Sequence, residues 1–127
     1  MAKRNQLENP LYTEMEERLN EVGPGMCLAK WTQVTLQLQT GHNHSCHHPR
    51  THKINLNEIK RNPSALHNTQ YKKLRRREML TGKRPEECDY CWGVEDNSDR
   101  FSDRIFKSAE SWSKPHFDEI VNADWRQ

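Results

Sequence analysis

The sequence predicts a small α+β domain in which several helices surround a β-hairpin. Three observations carry that expectation. Leu7, Leu11, Met15 and Leu19 recur at four-residue steps, so they stack on one face of a helix. Val34, Leu36 and Leu38 alternate with polar residues, the period of a half-buried strand. A length of 127 residues suits one domain with one core.

Each element has its own local reason. The first helix occupies residues 1–22, and Gly23, Pro24 and Gly25 stop it. The clearest strand of the chain runs from Trp31 to Thr40, with Gly41 as the flexible turn and residues 43–46 as a short return strand. Asn55 and Glu58 have the spacing of a capping box and open a short helix through Ile59 that ends before Pro63. Asn62 and Pro63 then read as the cap and first position of a longer helix, through Leu66, Leu74 and Leu80 to a stop at Gly82. Residues 83–100 read as a loop, and 104–125 as a helix bearing Ile105, Trp112, Phe117 and Ile120, interrupted at Pro115.

The apolar content is low for such a domain. Leu, Ile, Val and Phe together supply 21 of the 127 residues, which makes a thin core. Disordered chains combine that poverty with a large net charge, whereas here 20 Lys and Arg against 18 Asp and Glu leave +2, and four Trp are spread along the chain. A metal site or a permanent partner is therefore expected to help order the fold. No run approaches the roughly 18 apolar residues of a membrane span, and the N-terminus lacks the apolar stretch of a secretory signal, so a cytoplasmic chain without membrane contact is expected. Five glycines form neither a phosphate-cradling loop nor a Gly-x-Ser-x-Gly elbow, which excludes kinase, nucleotide-hydrolase and serine-hydrolase readings.

In a reducing compartment four cysteines are metal ligands or reactive thiols rather than two disulfides. Cys27 and Cys46 bracket the expected hairpin, while Cys88 and Cys91 form a Cys-x-x-Cys knuckle. A hairpin joins its two ends and a knuckle presents two thiolates side by side, so four sulfurs from distant segments can clasp one soft metal centre. The full fold expectation is thus a hairpin plus a cysteine knuckle with several helices around one metal centre. Four thiolates suit zinc and an iron–sulfur cluster equally, and composition does not choose between them.

The spacing Cys27-x13-Gly41-x4-Cys46, followed by a distant Cys88-x-x-Cys91, resembles the auxiliary-cluster motif of SPASM/twitch domains in radical S-adenosylmethionine (radical SAM) enzymes. Cys27-Leu-Ala-Lys-Trp31, Gly41-His-Asn-His-Ser-Cys46-His-His-Pro49, Asn62-Pro-Ser-Ala-Leu-His-Asn68, Gly82 to Trp92 and Ser102 to Ser108 are similar to the N-terminal part of phage and marine-bacterial twitch domain-containing radical SAM proteins. The resemblance implies that Cys27, Cys46, Cys88 and Cys91 ligate one 4Fe-4S auxiliary cluster. The resemblance covers about residues 25–110, which are expected to form the cluster-binding domain, preceded by the N-terminal helix over 1–24 and followed by a helical tail over 111–127 that leads toward a missing core. The family's separate Cys-x-x-x-Cys-x-x-Cys, which binds and cleaves S-adenosylmethionine, has no counterpart here, and no cysteine follows Cys91. The chain is accordingly expected to be an accessory module, truncated or split from its catalytic core and not catalytic alone, with a radical SAM core protein as its partner.

His42, His44, His47, His48 and His52 crowd the segment after Gly41. A mixed Cys/His zinc site, such as His44 with Cys46, competes with ordinary hydrogen bonding; four cysteines already complete a tetrahedral set, which favours the second reading. His47 and His48 are candidates to donate hydrogen bonds toward a cluster sulfur, and Trp92, with Tyr71 and Tyr90, is a candidate to shield the centre from water. Lys72, Lys73, Arg75, Arg76 and Arg77, with Lys83 and Arg84 beyond, form a basic stretch that points either to nucleic acid contact or to a solvated helix surface. Two alternatives follow: a zinc (Zn2+) module that contacts nucleic acid or protein through this basic helix, and an HNH-like zinc-knuckle nuclease. Against the nuclease, His42-Asn43-His44 lacks that motif's spacing, and Cys27 is left without a role.

Overall fold

The computed structural model describes residues 10–46 and 48–122. It is an α+β fold whose elements stand in the order α1 (Pro10–Val22), α2 (Ala29–Thr32), β1 (Thr35–Gln37), β2 (His42–His44), β3 (His52–Lys53), α3 (Leu56–Arg61), α4 (Gln70–Leu80), α5 (Asp89–Asn97), α6 (Asp103–Ser108) and α7 (Phe117–Asn122). Short 3-10 segments, Pro63–Leu66, Glu86–Cys88 and Lys114–His116, precede α4, α5 and α7. Among the described residues no helix is long and apolar enough to cross a membrane.

The four-residue periodicity of the first helix does bury one face. Met15 and Leu19 are fully buried and Leu11 packs against the same cluster, whereas Leu7 lies outside the described residues. The glycines stop the helix as expected, the Gly23 amide closing on the Leu19 carbonyl at 3.0 Å. Met26, Leu28, Met79, Phe101, Ile105 and Ile120 complete the core with these residues, and Tyr12 meets Phe106 edge-on with ring centres 5.0 Å apart. The core is thus assembled from both halves of the chain.

The hairpin forms about Gly41, whose φ of +73° is a conformation that glycine adopts without a Cβ penalty. β1 pairs antiparallel with β2 in the register Leu36↔Asn43, and β3, absent from the sequence reading, pairs with the other edge of β2 through Asn43↔His52. The strand is far shorter than the expected 31–40, since Trp31 belongs to α2. Its alternating face is also uncovered: Val34, Leu36 and Leu38 are all exposed, Leu38 at 72%. Burial falls instead on the central strand, where Asn43 is fully enclosed and donates from Nδ2 to the Leu66 carbonyl at 3.0 Å.

Further expectations are corrected by the observed caps and helix boundaries. Asn55 caps α3 by accepting from the Asn57 and Glu58 amides, but Glu58 does not reach back; its carboxylate accepts from the Gln70 amide at 2.6 Å and ties α3 to α4. Asn62 caps only the Pro63–Leu66 turn, and Thr69 caps a separate helix, α4, so the single long helix is two elements. Residues 83–100 are largely helical rather than a loop. The C-terminal helix is broken into α6, a 3-10 turn at Pro115 and α7; Trp112 is 56% exposed, and 123–127 lie outside the described residues.

Candidate metal centre

Two close backbone approaches set the site. Gly23 and Gly25 lie against residues 82–84 so tightly that a Cβ on Gly25 would stand 2.4 Å from the Lys83 carbonyl oxygen, and one on Gly23 2.7 Å from the Gly82 Cα. Gly82, at φ +87°, closes α4 and turns the chain into this contact. Cys27 is thereby carried in beside the segment that bears Cys88 and Cys91. On the other side the Ser108 hydroxyl accepts from the Leu28 amide at 2.9 Å and lies 3.8 Å from the Cys27 sulfur. Cys46 arrives on the loop after β2, and Cys88 and Cys91, one helical turn apart, flank the first turn of α5.

All four sulfur-bearing residues line one cavity of about 30 Å3. This exceeds the roughly 10–15 Å3 that seats one water. Cys91 is buried and the other three half-buried, and all are free thiols. Among the described residues no three His, Cys, Asp or Glu side chains gather tightly enough to hold a single ion.

The electrostatics bear the mark of four crowded thiols. Burial, reinforced by Cys27, pushes the Cys88 thiol up to about 12 against the pull of Lys30. Burial and the neighbouring Cys27 push Cys91 to about 12 as well, against an N–H donated by the Arg104 backbone. Cys46 is also raised, chiefly by burial, while the His48 backbone N–H donates to its sulfur and works the other way. Backbone N–H groups aimed at sulfur are the donors that stabilise anionic thiolate.

Two buried cations accompany the sulfurs. Lys30 lines the cavity and pairs with Glu87, and although burial works to lower its pKa, Cys88 and Glu87 prevail and raise it. Arg104 also lines it, anchored by Glu95 at 2.8 and 3.0 Å, by the Met26 carbonyl at 3.0 Å and by Asn20 at 2.7 Å. Four sulfurs bearing two fixed cations and backbone donors suit a thiolate-bound metal group, whose formal negative charge such groups offset. Neither cation was legible as part of the site. Lys30 had the weak signal of lying one turn beyond Cys27, while Arg104 had none, because its approach depends on long-range packing.

The flanking candidates separate. His48 lines the cavity, pairs through Nε2 with the Asp103 carboxylate and stacks on Tyr90 with ring centres 3.8 Å apart. Its contact with sulfur runs through its backbone rather than its imidazole. His47 lies outside the described residues. Trp92 points elsewhere, its indole donating to the Pro85 carbonyl at 3.1 Å and Arg84 lying over its ring. His44 bonds the Cys46 carbonyl through Nδ1.

The basic stretch is not a uniform outer face. Lys72, Lys73 and Arg76 are buried; Lys72 donates to the His67 carbonyl at 2.9 Å, and Arg76 to the Lys30 carbonyl at 3.0 Å and to Asn68. Arg75 pairs with Glu78 at 3.1 Å, and Arg77 is exposed. Three of the five cations are therefore enclosed by the fold rather than presented outward. No family model, curated protein or solved structure matches this chain.

Proposed function

We propose that Cys27, Cys46, Cys88 and Cys91 hold one 4Fe-4S cluster and that the domain is an accessory, cluster-bearing module of a radical SAM type enzyme. One observation supports a shared thiolate site: every cysteine of the chain lines one cavity. Four thiolates suit zinc and an iron–sulfur cluster alike, and the choice of a cluster rests on the resemblance of the Cys27-x13-Gly41-x4-Cys46 and Cys88-x-x-Cys91 spacing to the auxiliary-cluster motif. Lys30, Arg104 and the backbone N–H groups of His48 and Arg104 would offset the charge of the thiolate-bound group. The cluster would supply a one-electron redox centre.

The accessory role rests on the motif resemblance and on ligand arithmetic. With four cysteines committed to one cavity, none remains to bind S-adenosylmethionine.

Anaerobic purification with iron, sulfide and zinc quantification tests the reading. About four irons and four sulfides per chain, with broad absorbance near roughly 400 nm, are expected. Serine at any of the four cysteine positions should reduce iron retention at least about tenfold. One zinc with no iron would overturn the cluster. Cleavage of S-adenosylmethionine by the reduced chain alone would overturn the accessory role.

A further inference from the structure

Outside the cysteine cavity, a polar surface pocket of about 260 Å3 opens between the loop after β2, α4 and the start of α5. Arg50 enters it from the loop, Tyr71 and Arg75 from successive turns of α4, and Glu86 and Asp89 from the segment around the knuckle. Ligand pockets are typically about 300–1,000 Å3, so this one lies just below that range and suits only a small molecule.

The charges within it are sorted by whether they are already used. Arg75 is paired with Glu78 and lies over the Tyr71 ring at 5.0 Å, and Glu87 is occupied by Lys30 and by the Tyr71 hydroxyl. Among the described residues Arg50, Glu86 and Asp89 have no ion-pair partner, although all three line the same pocket. Arg50, Glu86 and Asp89 are exposed at the pocket's edge, Arg50 on the loop after β2 and the two carboxylates on the segment around the knuckle. A purely anionic ligand would meet the two carboxylates, and a purely cationic one would meet Arg50. A ligand with both charges satisfies all three groups.

We propose that this pocket binds a free α-amino acid, its carboxylate at Arg50 and its ammonium at Glu86 and Asp89. The site touches the metal centre: His48 lines both cavities, and Glu87 in the pocket wall holds the Lys30 that faces the sulfurs. Recognition by Arg50, Glu86 and Asp89 does not depend on which metal the cysteines hold. Only the coupling to a redox centre rests on the cluster reading.

Calorimetric titration of the anaerobically purified full chain tests the proposal, with L-phenylalanine, N-acetyl-L-phenylalanine and L-phenylalanine amide as probes. L-phenylalanine should bind, and each singly charged analogue should bind at least about tenfold more weakly. Arg50→Ala and Glu86→Gln should each weaken L-phenylalanine at least about fivefold while leaving metal content and circular dichroism unchanged. Equal binding of either analogue, or no binding of L-phenylalanine, overturns the pocket assignment. Iron present without L-phenylalanine binding rejects the pocket alone, and L-phenylalanine binding without iron rejects the cluster alone.

Discussion

Lys30 and Lys72 show how neighbours decide the chemistry of one side-chain type. Both are almost fully buried. Lys30 has Cys88 and Glu87 to offset desolvation and its pKa rises; Lys72 has burial compounded by Arg76 and Lys30, and is brought down to about 7. Between about pH 7 and 10.5 the unfolded chain keeps a proton on Lys72 that the folded chain has released, so this residue makes stability increase with pH across that window. The buried thiols act in the opposite direction above their unfolded values, so a substitution must isolate the lysine. Lys72→Met removes the charge penalty, and its stability relative to wild type should be greatest near pH 7. That advantage should shrink by up to about tenfold in the unfolding equilibrium constant per pH unit through the window. Urea midpoints that run parallel for the two proteins from pH 7 to 10 would contradict the assignment.

At the scale of elements, the junction between the end of α1 and the end of α4 positions the cysteines. Gly25 leaves no room for a Cβ, with Lys83 and Arg84 backbone atoms at 2.4 and 2.7 Å. Backbone cannot yield as a flexible side chain does, so Gly25→Ala should cost about 1–3 kcal/mol and lower metal retention, since it moves Cys27 away from the knuckle. Gly93 provides the control within α5: nothing lies within 4 Å of its Cβ direction. Gly93→Ala should instead stabilise by up to about 1 kcal/mol, through helix propensity and a less mobile unfolded chain. Denaturant midpoints of the two variants should therefore move in opposite directions. The split of the expected long helix belongs to this scale too. Asn62 and Thr69 are both good caps, and each opens its own helical segment.

For the whole molecule, the cysteine-lined cavity joins segments that the apolar core joins only in part. Cys27 precedes α2, Cys46 lies on the loop between β2 and β3, and Cys88 and Cys91 begin α5, so one bound group would tie three regions together. Free energy of binding to the folded state alone adds to folding. Removing the metal with an iron chelator under reducing conditions should lower the thermal midpoint by more than about 10 °C, equivalent to about 3 kcal/mol for a domain of this size. A midpoint unchanged by complete metal removal would show that the thin core suffices on its own.

Local chemistry was sufficient for the α+β class, for the buried stripe of α1, for the Gly41 turn and for grouping the four cysteines, because periodicity, caps and left-handed glycine positions act within a few residues. Tertiary packing decided what covers each face. The alternation of Val34, Leu36 and Leu38 marks a strand but cannot specify a covering layer, and these residues are exposed. Burial of Lys72, Lys73 and Arg76 likewise reversed the outward reading of a basic helix, because backbone carbonyls and Asn68 satisfy Lys72 and Arg76 internally. Lys30, Glu87, Asp103 and Arg104 join the site through contacts between residues far apart in the chain. No local periodicity encodes such contacts, since they depend on which surfaces compete successfully for burial once the whole chain has collapsed.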